Sequence, residues 1–237
     1  RLAVYLPFED MMMRDRLPPR LLRPSANYHW EFQYTKLPRE LRAYRPIWIS
    51  GHYLSQTEIV DGRMRCGEAE FEAIYVDVAW MERDALEELL RLASRGGRIF
   101  LGRLPSEPGS RADAHFPSLV KQLVRGERVE FGLPAMDRLT PLVSGDVVPE
   151  FWCRDDGTQR YYFFAHPRAS LITYPMRYGE SYTENPITLD LTVRSTTEAI
   201  PVQLRFEPYQ SVLLACESGH AHRISVDFDP GEAVPGY

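Results

Sequence analysis

The stretch from Phe71 to Leu101 constrains the fold most, because strand, helix and strand patterns follow one another within it. Phe71–Val78 is apolar and rich in β-branched and aromatic residues, which is typical of a buried strand. The apolar residues after it recur at helical spacing: Leu86, Leu89, Leu90 and Ala93. Arg98–Leu101 is a second short apolar run. The pattern predicts a parallel βαβ unit with a right-handed crossover.

The predicted helix carries signals at both ends. Asp84 precedes Glu87 by three residues, which is the spacing of a capping box. Gly96 and Gly97 follow the last apolar position and predict the left-handed end of a helix. A phosphate-binding glycine loop would precede a helix, so these glycines do not indicate a nucleotide site.

The rest of residues 1–132 completes an α/β pattern. A first strand is predicted at Leu2–Leu6, and an irregular segment then extends from Phe8 to Lys36. Further elements are predicted after it: a strand at Pro46–Ser50, a hairpin around Asp61-Gly62, a short helix opened by Pro117 and a strand at Arg128–Phe131. We therefore predict a parallel-sheet α/β domain over residues 1–132.

Residues 133–237 have a different character. Scattered glycine and proline at the boundary give way to short extended runs, and Asp155-Asp156-Gly157 marks a hairpin between two of them. Four further strands are predicted: Ile187–Val193, Val202–Phe206, Ser211–Cys216 and His222–Phe228. No helical period interrupts them. This spacing predicts an all-β sandwich over residues 133–237.

Composition excludes several classes of partner. The net charge of −5 provides no basic stripe for nucleic acid, and no apolar run is long enough to cross a bilayer. The three cysteines are odd in number and far apart, so they do not indicate a disulfide framework, and the compartment stays open. The chain begins at Arg1 directly on a strand, so we expect it to be a piece of a longer protein.

A nucleophile is missing where a parallel-sheet hydrolase would need one. Class I amidotransferases place a cysteine, and esterases a serine, on a sharp glycine-flanked turn after a central strand. The corresponding turn here is Val78-Ala79-Trp80, which holds no cysteine, serine or flanking glycine. Glutaminase and esterase chemistry are therefore disfavoured, and we assign no catalytic residue.

Three carboxylates could still meet at the carboxyl edge of the predicted sheet. Glu9 and Asp10 follow the first strand, and Asp77 lies near the end of the central one. Paired carboxylates hydrolyse glycosides when they are suitably separated. The more frequent alternative is structural, because adjacent carboxylates need not converge and Asp10 can cap a turn.

Aromatic residues in the segment from Phe8 to Lys36 form a second candidate group, which includes Tyr28, His29 and Trp30. Such clusters usually pack a loop onto its own domain. The alternative is a surface that contacts a sugar or a neighbouring domain.

Cys216, His220 and His222 are the nearest approach to a metal cluster. Structural zinc sites need four ligands at recognised spacings, and these residues do not provide them. We predict no metal and no other cofactor.

Several segments together resemble a known module. YLPFEDMMMRD, WISGHYL and the run from IVDGRMRCG to GRLPSEPG are similar to the amidotransferase-like module of large multidomain bacterial glycoside hydrolases of the α-L-rhamnosidase type. The trimerisation domain of β-galactosidases is a more distant relative. VVPEFWCRDDGTQRYYFFAHPRAS and IPVQLRFEPYQSVLL resemble the β-sandwich that follows this module. The resemblance covers nearly the whole chain.

The resemblance implies a flavodoxin/amidotransferase-like domain without a nucleophile, followed by a β-sandwich. It implies a non-catalytic accessory fragment of a glycoside hydrolase, which shapes the cleft of an upstream catalytic domain or mediates oligomerisation. Partners would be that missing domain, carbohydrate or a second copy of the chain, and Glu9, Asp10, Tyr28, His29, Trp30 and Asp77 are the candidate sugar- or domain-facing residues.

Two alternatives remain. The first is a carbohydrate-binding module with aromatic platforms on the sandwich, for which the candidates are Trp152, Tyr161, Tyr162, Tyr174, Tyr178 and Tyr182. The second is a self-contained hydrolase that uses Glu9, Asp10 and Asp77. It requires those carboxylates to converge in one pocket.

Overall fold

The protein is described by a computed structural model that covers residues 1–14, 37–108, 114–134, 139–167, 185–208 and 210–224. The chain divides into two compact units, Arg1–Pro141 and Leu142–Tyr237. Together they form a mixed α/β structure with one parallel sheet and several antiparallel ones. This general class agrees with the sequence prediction. Each unit is described by itself.

The first unit alternates strands and helices. In chain order its elements are strand β1 (Leu2–Tyr5), helix α1 (Phe8–Arg14), a 3₁₀ helix (Arg39–Tyr44), β2 (Ile47–Ile49), α2 (Gly51–Ser55), β3 (Glu58–Val60), β4 (Arg63–Cys66), β5 (Ala69–Phe71), β6 (Ala73–Val76), α3 (Arg83–Ser94), β7 (Arg98–Leu101), α4 (Phe116–Val124) and β8 (Val129–Phe131).

Five strands form a parallel sheet in the order β2-β1-β6-β7-β8. The predicted βαβ unit is confirmed, because β6 and β7 are parallel neighbours joined through α3. The central strands β1 and β6 are apolar and buried on both faces, as in a sheet covered by helices. One face of α3 is fully buried in the core of this unit: Leu86, Leu89 and Leu92.

Two predictions about element boundaries are wrong. Phe71–Val78 is not one strand, since β5 ends at Phe71 in a small antiparallel sheet and β6 begins at Ala73 in the parallel one. An apolar run indicates that its residues are buried, but it does not indicate which sheet they belong to. The segment predicted to be irregular begins with α1, whose first turn carries Glu9 and Asp10. Carboxylates favour that position because of the helix dipole.

The ends of α3 give one wrong and one confirmed prediction. No capping box forms, because the N-cap is Glu82 and makes no side-chain capping bond, while Asp84 already lies within the first turn. The glycine end is confirmed. Gly96 adopts φ +94°, its amide donates to Ala93 O, and the Gly97 amide donates to Leu92 O at 2.9 Å. This is a Schellman motif.

The hairpin around Asp61-Gly62 is also confirmed. β3 and β4 pair antiparallel with Val60 opposite Arg63, so Asp61 and Gly62 form its two-residue turn. With β5 they form a three-stranded sheet. Its buried residues Met64 and Phe71 belong to the same core as α3.

All the strand pairs in the described residues of the second unit are antiparallel. Its strands are β9 (Val143–Ser144), β10 (Phe151–Asp155), β11 (Arg160–Phe164), β12 (Ile187–Arg194), β13 (Ala199–Phe206), β14 (Val212–Glu217) and β15 (His220–Arg223). They form a four-stranded sheet β10-β11-β14-β15 and a three-stranded sheet β13-β12-β9. Both sheets contribute side chains to one core. The Tyr162 hydroxyl, on β11, donates to Arg194 O at 2.6 Å and connects them.

No helix in the described part of the chain is long and apolar enough to cross a membrane.

Candidate functional site

The candidate site lies at the carboxyl edge of the parallel sheet, where β1 and β6 end side by side. Ligands of doubly wound sheets bind at this edge, at the place where the strand order reverses. The strand order here is β2-β1-β6-β7-β8. After β1 the chain adds β2 on one side of that strand and β6, β7 and β8 on the other, so the order reverses between β1 and β6. Glu9, Asp10 and Asp77 all follow these two strands.

Asp10 holds the turn after β6. Its Oδ2 accepts a hydrogen bond from the Ala79 amide at 3.0 Å, and its Oδ1 accepts one from the Trp80 amide at 2.7 Å. The two amides are adjacent in the chain, and each donates to a different oxygen of the same carboxylate. The Asp10 carboxylate therefore occupies both amides of the turn after β6.

Asp77 forms an ion pair with Arg103, whose Nε lies 2.5 Å from Asp77 Oδ1. The chain passes very close at Gly102, where an added Cβ would lie 2.7 Å from Asp77 Cβ and 2.6 Å from the Tyr75 hydroxyl. Burial, and then the nearby Asp77 charge, raise the pKa of Tyr75 to about 12. Asp77 is therefore part of a tightly packed charged contact.

Glu9 has a different environment, because its side chain is only 6% exposed. The Tyr5 hydroxyl donates to Glu9 Oε1 at 2.7 Å, and the Glu82 amide approaches the same oxygen at 3.4 Å. Burial and the Glu9 carboxylate raise the pKa of Tyr5, so its hydroxyl stays protonated and donates. The other oxygen, Oε2, is buried and has no hydrogen-bond partner among the described residues.

A cleft of about 640 Å³ opens beside Glu9. Its walls come from the end of β1, from α1, from α2 and from the first turns of α3. The residues that line it are Tyr5, Phe8, Glu9, Ser50, Gly51, His52, Ser55, Glu82, Asp84, Ala85, Glu87 and Glu88. Asp10 and Asp77 are not among them, so the predicted carboxylates share an edge of the sheet but not this cleft.

Sequence reasoning found Glu9 but missed the residues around it. Tyr5 is the last residue of β1, four residues before Glu9, and this spacing was the available signal. His52 and Glu82 come from separate elements, and only the fold brings them to the cleft. Tyr28, His29 and Trp30 lie outside the described residues.

The second unit has an aromatic surface on its four-stranded sheet. Trp152 on β10 pairs directly with Phe163 on β11, and Tyr161 lies two residues along on the same side. Trp152 is 68% exposed and Phe163 is 43% exposed, whereas Tyr162 points the other way and is fully buried. We call Trp152, Tyr161 and Phe163 the aromatic face. Tyr174, Tyr178 and Tyr182 lie outside the described residues.

The Cys216, His220 and His222 group does not converge. Cys216 is buried opposite Ala221, while His222 pairs with Ala215 and His220 with Glu217. Directly opposed residues share a face, so the two histidines lie on the other side of the sheet from the thiol. No cluster of three or more histidine, cysteine, aspartate or glutamate residues within the described ranges could hold a metal ion.

Comparison with known proteins gives little detail. No family model matches the chain, and no curated protein matches it. Among solved structures, the apo exo-carrageenase GH42 from Bacteroides ovatus is similar, with a TM-score of 0.45 and 10% sequence identity. The alignment covers 91% of this chain and 29% of that chain. It is a weak likeness to part of a glycoside hydrolase.

Proposed function

We propose that the chain is a non-catalytic accessory fragment of a glycoside hydrolase. It consists of a flavodoxin/amidotransferase-like domain over residues 1–132 and a β-sandwich over residues 133–237. The parallel strands, taken in chain order, lie in the order second, first, third, fourth, fifth, which is that of flavodoxin-like folds. The shared core of the two antiparallel sheets supports the sandwich.

The observation that carries this proposal is the turn after β6. It offers no nucleophile, and the two oxygens of the Asp10 carboxylate accept hydrogen bonds from its two amides. A tetrahedral oxyanion could bind there only by displacing Asp10. These contacts support a structural role for the turn. The role that we propose for the domain is to support or shape the cleft of an upstream catalytic domain, or to mediate oligomerisation.

The competing enzyme hypothesis requires Glu9, Asp10 and Asp77 to act together. Each of them has a separate structural partner instead: Tyr5 for Glu9, the turn amides for Asp10, and Arg103 for Asp77. A carboxylate pair for glycoside hydrolysis must face a common bond. These contacts favour the accessory role.

The test combines turnover with association. The purified chain is incubated with a panel of aryl glycosides and oligosaccharides, beside its Glu9→Gln, Asp10→Asn and Asp77→Asn variants. We expect no turnover above buffer from any of them. Hydrolysis by the wild type that Glu9→Gln or Asp77→Asn abolishes would establish the enzyme instead.

The association arm uses the coding region upstream of Arg1. We expect that region to encode a glycoside hydrolase domain that co-elutes with this chain and is more heat-stable in its presence. The accessory role is refuted if the upstream region encodes no such domain, or if the two parts neither associate nor affect one another.

A second candidate function rests on the aromatic face. Apolar C–H faces of pyranose rings stack on exposed aromatic rings, and the register places Trp152 beside Phe163 on one side of the sheet. A bound sugar at a hundred times its dissociation constant would stabilise the native state by about 2.7 kcal/mol. A thermal-shift screen of sugars, with Trp152→Ala against Phe131→Ala as an exposed aromatic control, tests this. Loss of the shift only in Trp152→Ala would support a carbohydrate-binding module.

A further inference from the structure

The Glu9 cleft contains an unexplained acceptor. Glu9 is 6% exposed, its Oε1 is held by Tyr5, and its Oε2 has no partner among the described residues. Buried carboxylate oxygens are normally satisfied, because an unmatched one loses its hydration without compensation. Glu9 is one of the residues that line the cleft, so a donor that enters the cleft approaches this carboxylate.

The charges around the cleft define which donor fits. Glu87 pairs with Arg83 at 2.7 Å and Glu88 with Arg91 at 2.5 Å, so these two carboxylates are neutralised locally. Glu9, Glu82 and Asp84 form no ion pair within the part of the chain that the structure describes. The positive end of the α3 dipole offsets only part of this charge, since it is equivalent to about half an elementary charge. The cleft is therefore anionic.

The shape and polarity of the walls restrict the chemical class of the ligand further. Acceptors dominate the lining, and Phe8, which is 52% exposed, supplies an apolar wall. A group that carries only donors, a positive charge and a short carbon stem matches this combination. Guanidinium and primary ammonium groups have only donors, whereas a neutral alcohol lacks the charge.

We infer that the cleft binds an organic cation, a guanidinium or primary ammonium group on a short aliphatic stem, with an N–H donated to Glu9 Oε2. This site goes beyond the accessory function, and neither depends on the other. The group can come from a free small molecule or from an arginine or lysine side chain of another protein.

Calorimetric titration of the full chain with n-butylguanidinium and n-butylammonium tests the site. We expect both to bind with dissociation constants below about 10 mM, and the neutral isostere N-butylurea not to bind. Glu9→Gln, which keeps the acceptor for Tyr5, should weaken binding about tenfold or more, since a hydrogen bond to a charged acceptor is stronger than one to a neutral amide. Glu58→Gln, an exposed carboxylate on β3, should bind like the wild type.

Arginine and lysine capped at both ends distinguish the two sources. Binding of N-acetyl-arginine methylamide as tight as that of n-butylguanidinium would indicate a protein side chain, and its exclusion would indicate a free small molecule. The inference is overturned if no cation binds, or if Glu9→Gln binds unchanged. If Glu9→Gln does not fold, amide chemical-shift mapping on the wild type decides: shifts must centre on Tyr5, Gly51 and Glu82, and shifts elsewhere overturn it.

Discussion

Glu9 and Asp10 are neighbours on the first turn of α1, yet their carboxylates have opposite surroundings. Asp10 accepts bonds from two backbone amides of another loop, while Glu9 is buried with one oxygen that has no partner among the described residues. Consecutive residues on a helix point about 100° apart, so adjacent carboxylates seldom face a common target. The environment of each carboxylate therefore distinguishes the two: Asp10 makes a structural contact, and Glu9 is a candidate binding group.

Replacing Asp10 tests its structural role. Asp10→Ala leaves the Ala79 and Trp80 amides without their acceptor in a partly buried turn, and we expect the free energy of unfolding to fall by about 2 kcal/mol. Urea denaturation measures it. Glu68→Gln, which changes an exposed carboxylate in a turn of the same unit, should have little effect. Equal stability of the Asp10→Ala variant and the wild type would contradict the assigned contact.

Asp156 should give the second unit a pH-dependent stability. The amides of Gln159 and Thr158 donate to it at 2.9 Å, as does the Thr158 hydroxyl at 2.7 Å. These bonds, with the Gln159 amide first, lower the pKa of Asp156 from 3.8 to about 2. A carboxyl whose pKa is lower when folded stabilises the fold above pH 3.8, and this stabilisation is lost as the pH falls through about 2.

Melting temperatures measured between pH 5 and pH 2 check this expectation. The wild type should lose more stability on acidification than Asp156→Asn does, because the asparagine cannot titrate. Asp146→Asn, at an exposed turn position of the same unit, should follow the wild type. Parallel curves for Asp156→Asn and the wild type would show that this turn is not the source of acid sensitivity.

At the scale of elements, α3 shows that residues close in the chain can determine where a helix ends. Its buried face, Leu86, Leu89 and Leu92, follows the helical period, and its end follows from Gly96 in the left-handed region. Its beginning does not follow the expected capping box, since Asp84 lies inside the first turn and Glu82 is the N-cap. A capping pattern of two residues three positions apart occurs often by chance, whereas a glycine at the end of a helical period and before a strand is more specific.

Gly96 provides the element-scale prediction. Nothing lies within 4 Å of a Cβ added there, so Gly96→Ala changes only the backbone strain at φ +94°. We expect it to lower stability by about 1 kcal/mol, because non-glycine residues disfavour this region. Gly96→Asn should cost less, since asparagine tolerates the left-handed conformation. Chemical denaturation measures both, and an alanine variant as stable as the wild type would disprove the strain.

At the scale of the whole molecule, each unit has its own core. The core that contains α3 draws on residues of the first unit, and the core shared by the two antiparallel sheets draws on the second. Large-to-small substitutions in a core lose buried area and leave a cavity. Each core should therefore determine the stability of its own unit.

Calorimetry of matched core variants tests this independence. Leu89→Ala should destabilise the first unit by about 2–5 kcal/mol, and Phe164→Ala the second by about 3–5 kcal/mol. We expect each substitution to lower the temperature of one calorimetric unfolding transition and to leave the temperature of the other unchanged. A single transition that both substitutions shift equally would show that the chain unfolds as one cooperative body.

The sequence by itself determined the parallel βαβ unit, the hairpin at Asp61-Gly62, the glycine end of α3 and the change from α/β to antiparallel structure. These follow from local signals: hydrophobic period, turn residues and helix ends act within a few residues. Only the three-dimensional structure shows that Asp10 binds the turn after β6, that Glu9 has an oxygen beside a cleft with no partner among the described residues, and that Trp152 pairs with Phe163 on an exposed face. Those contacts join residues far apart in the chain, and their partners depend on sheet order and register, which no local pattern specifies.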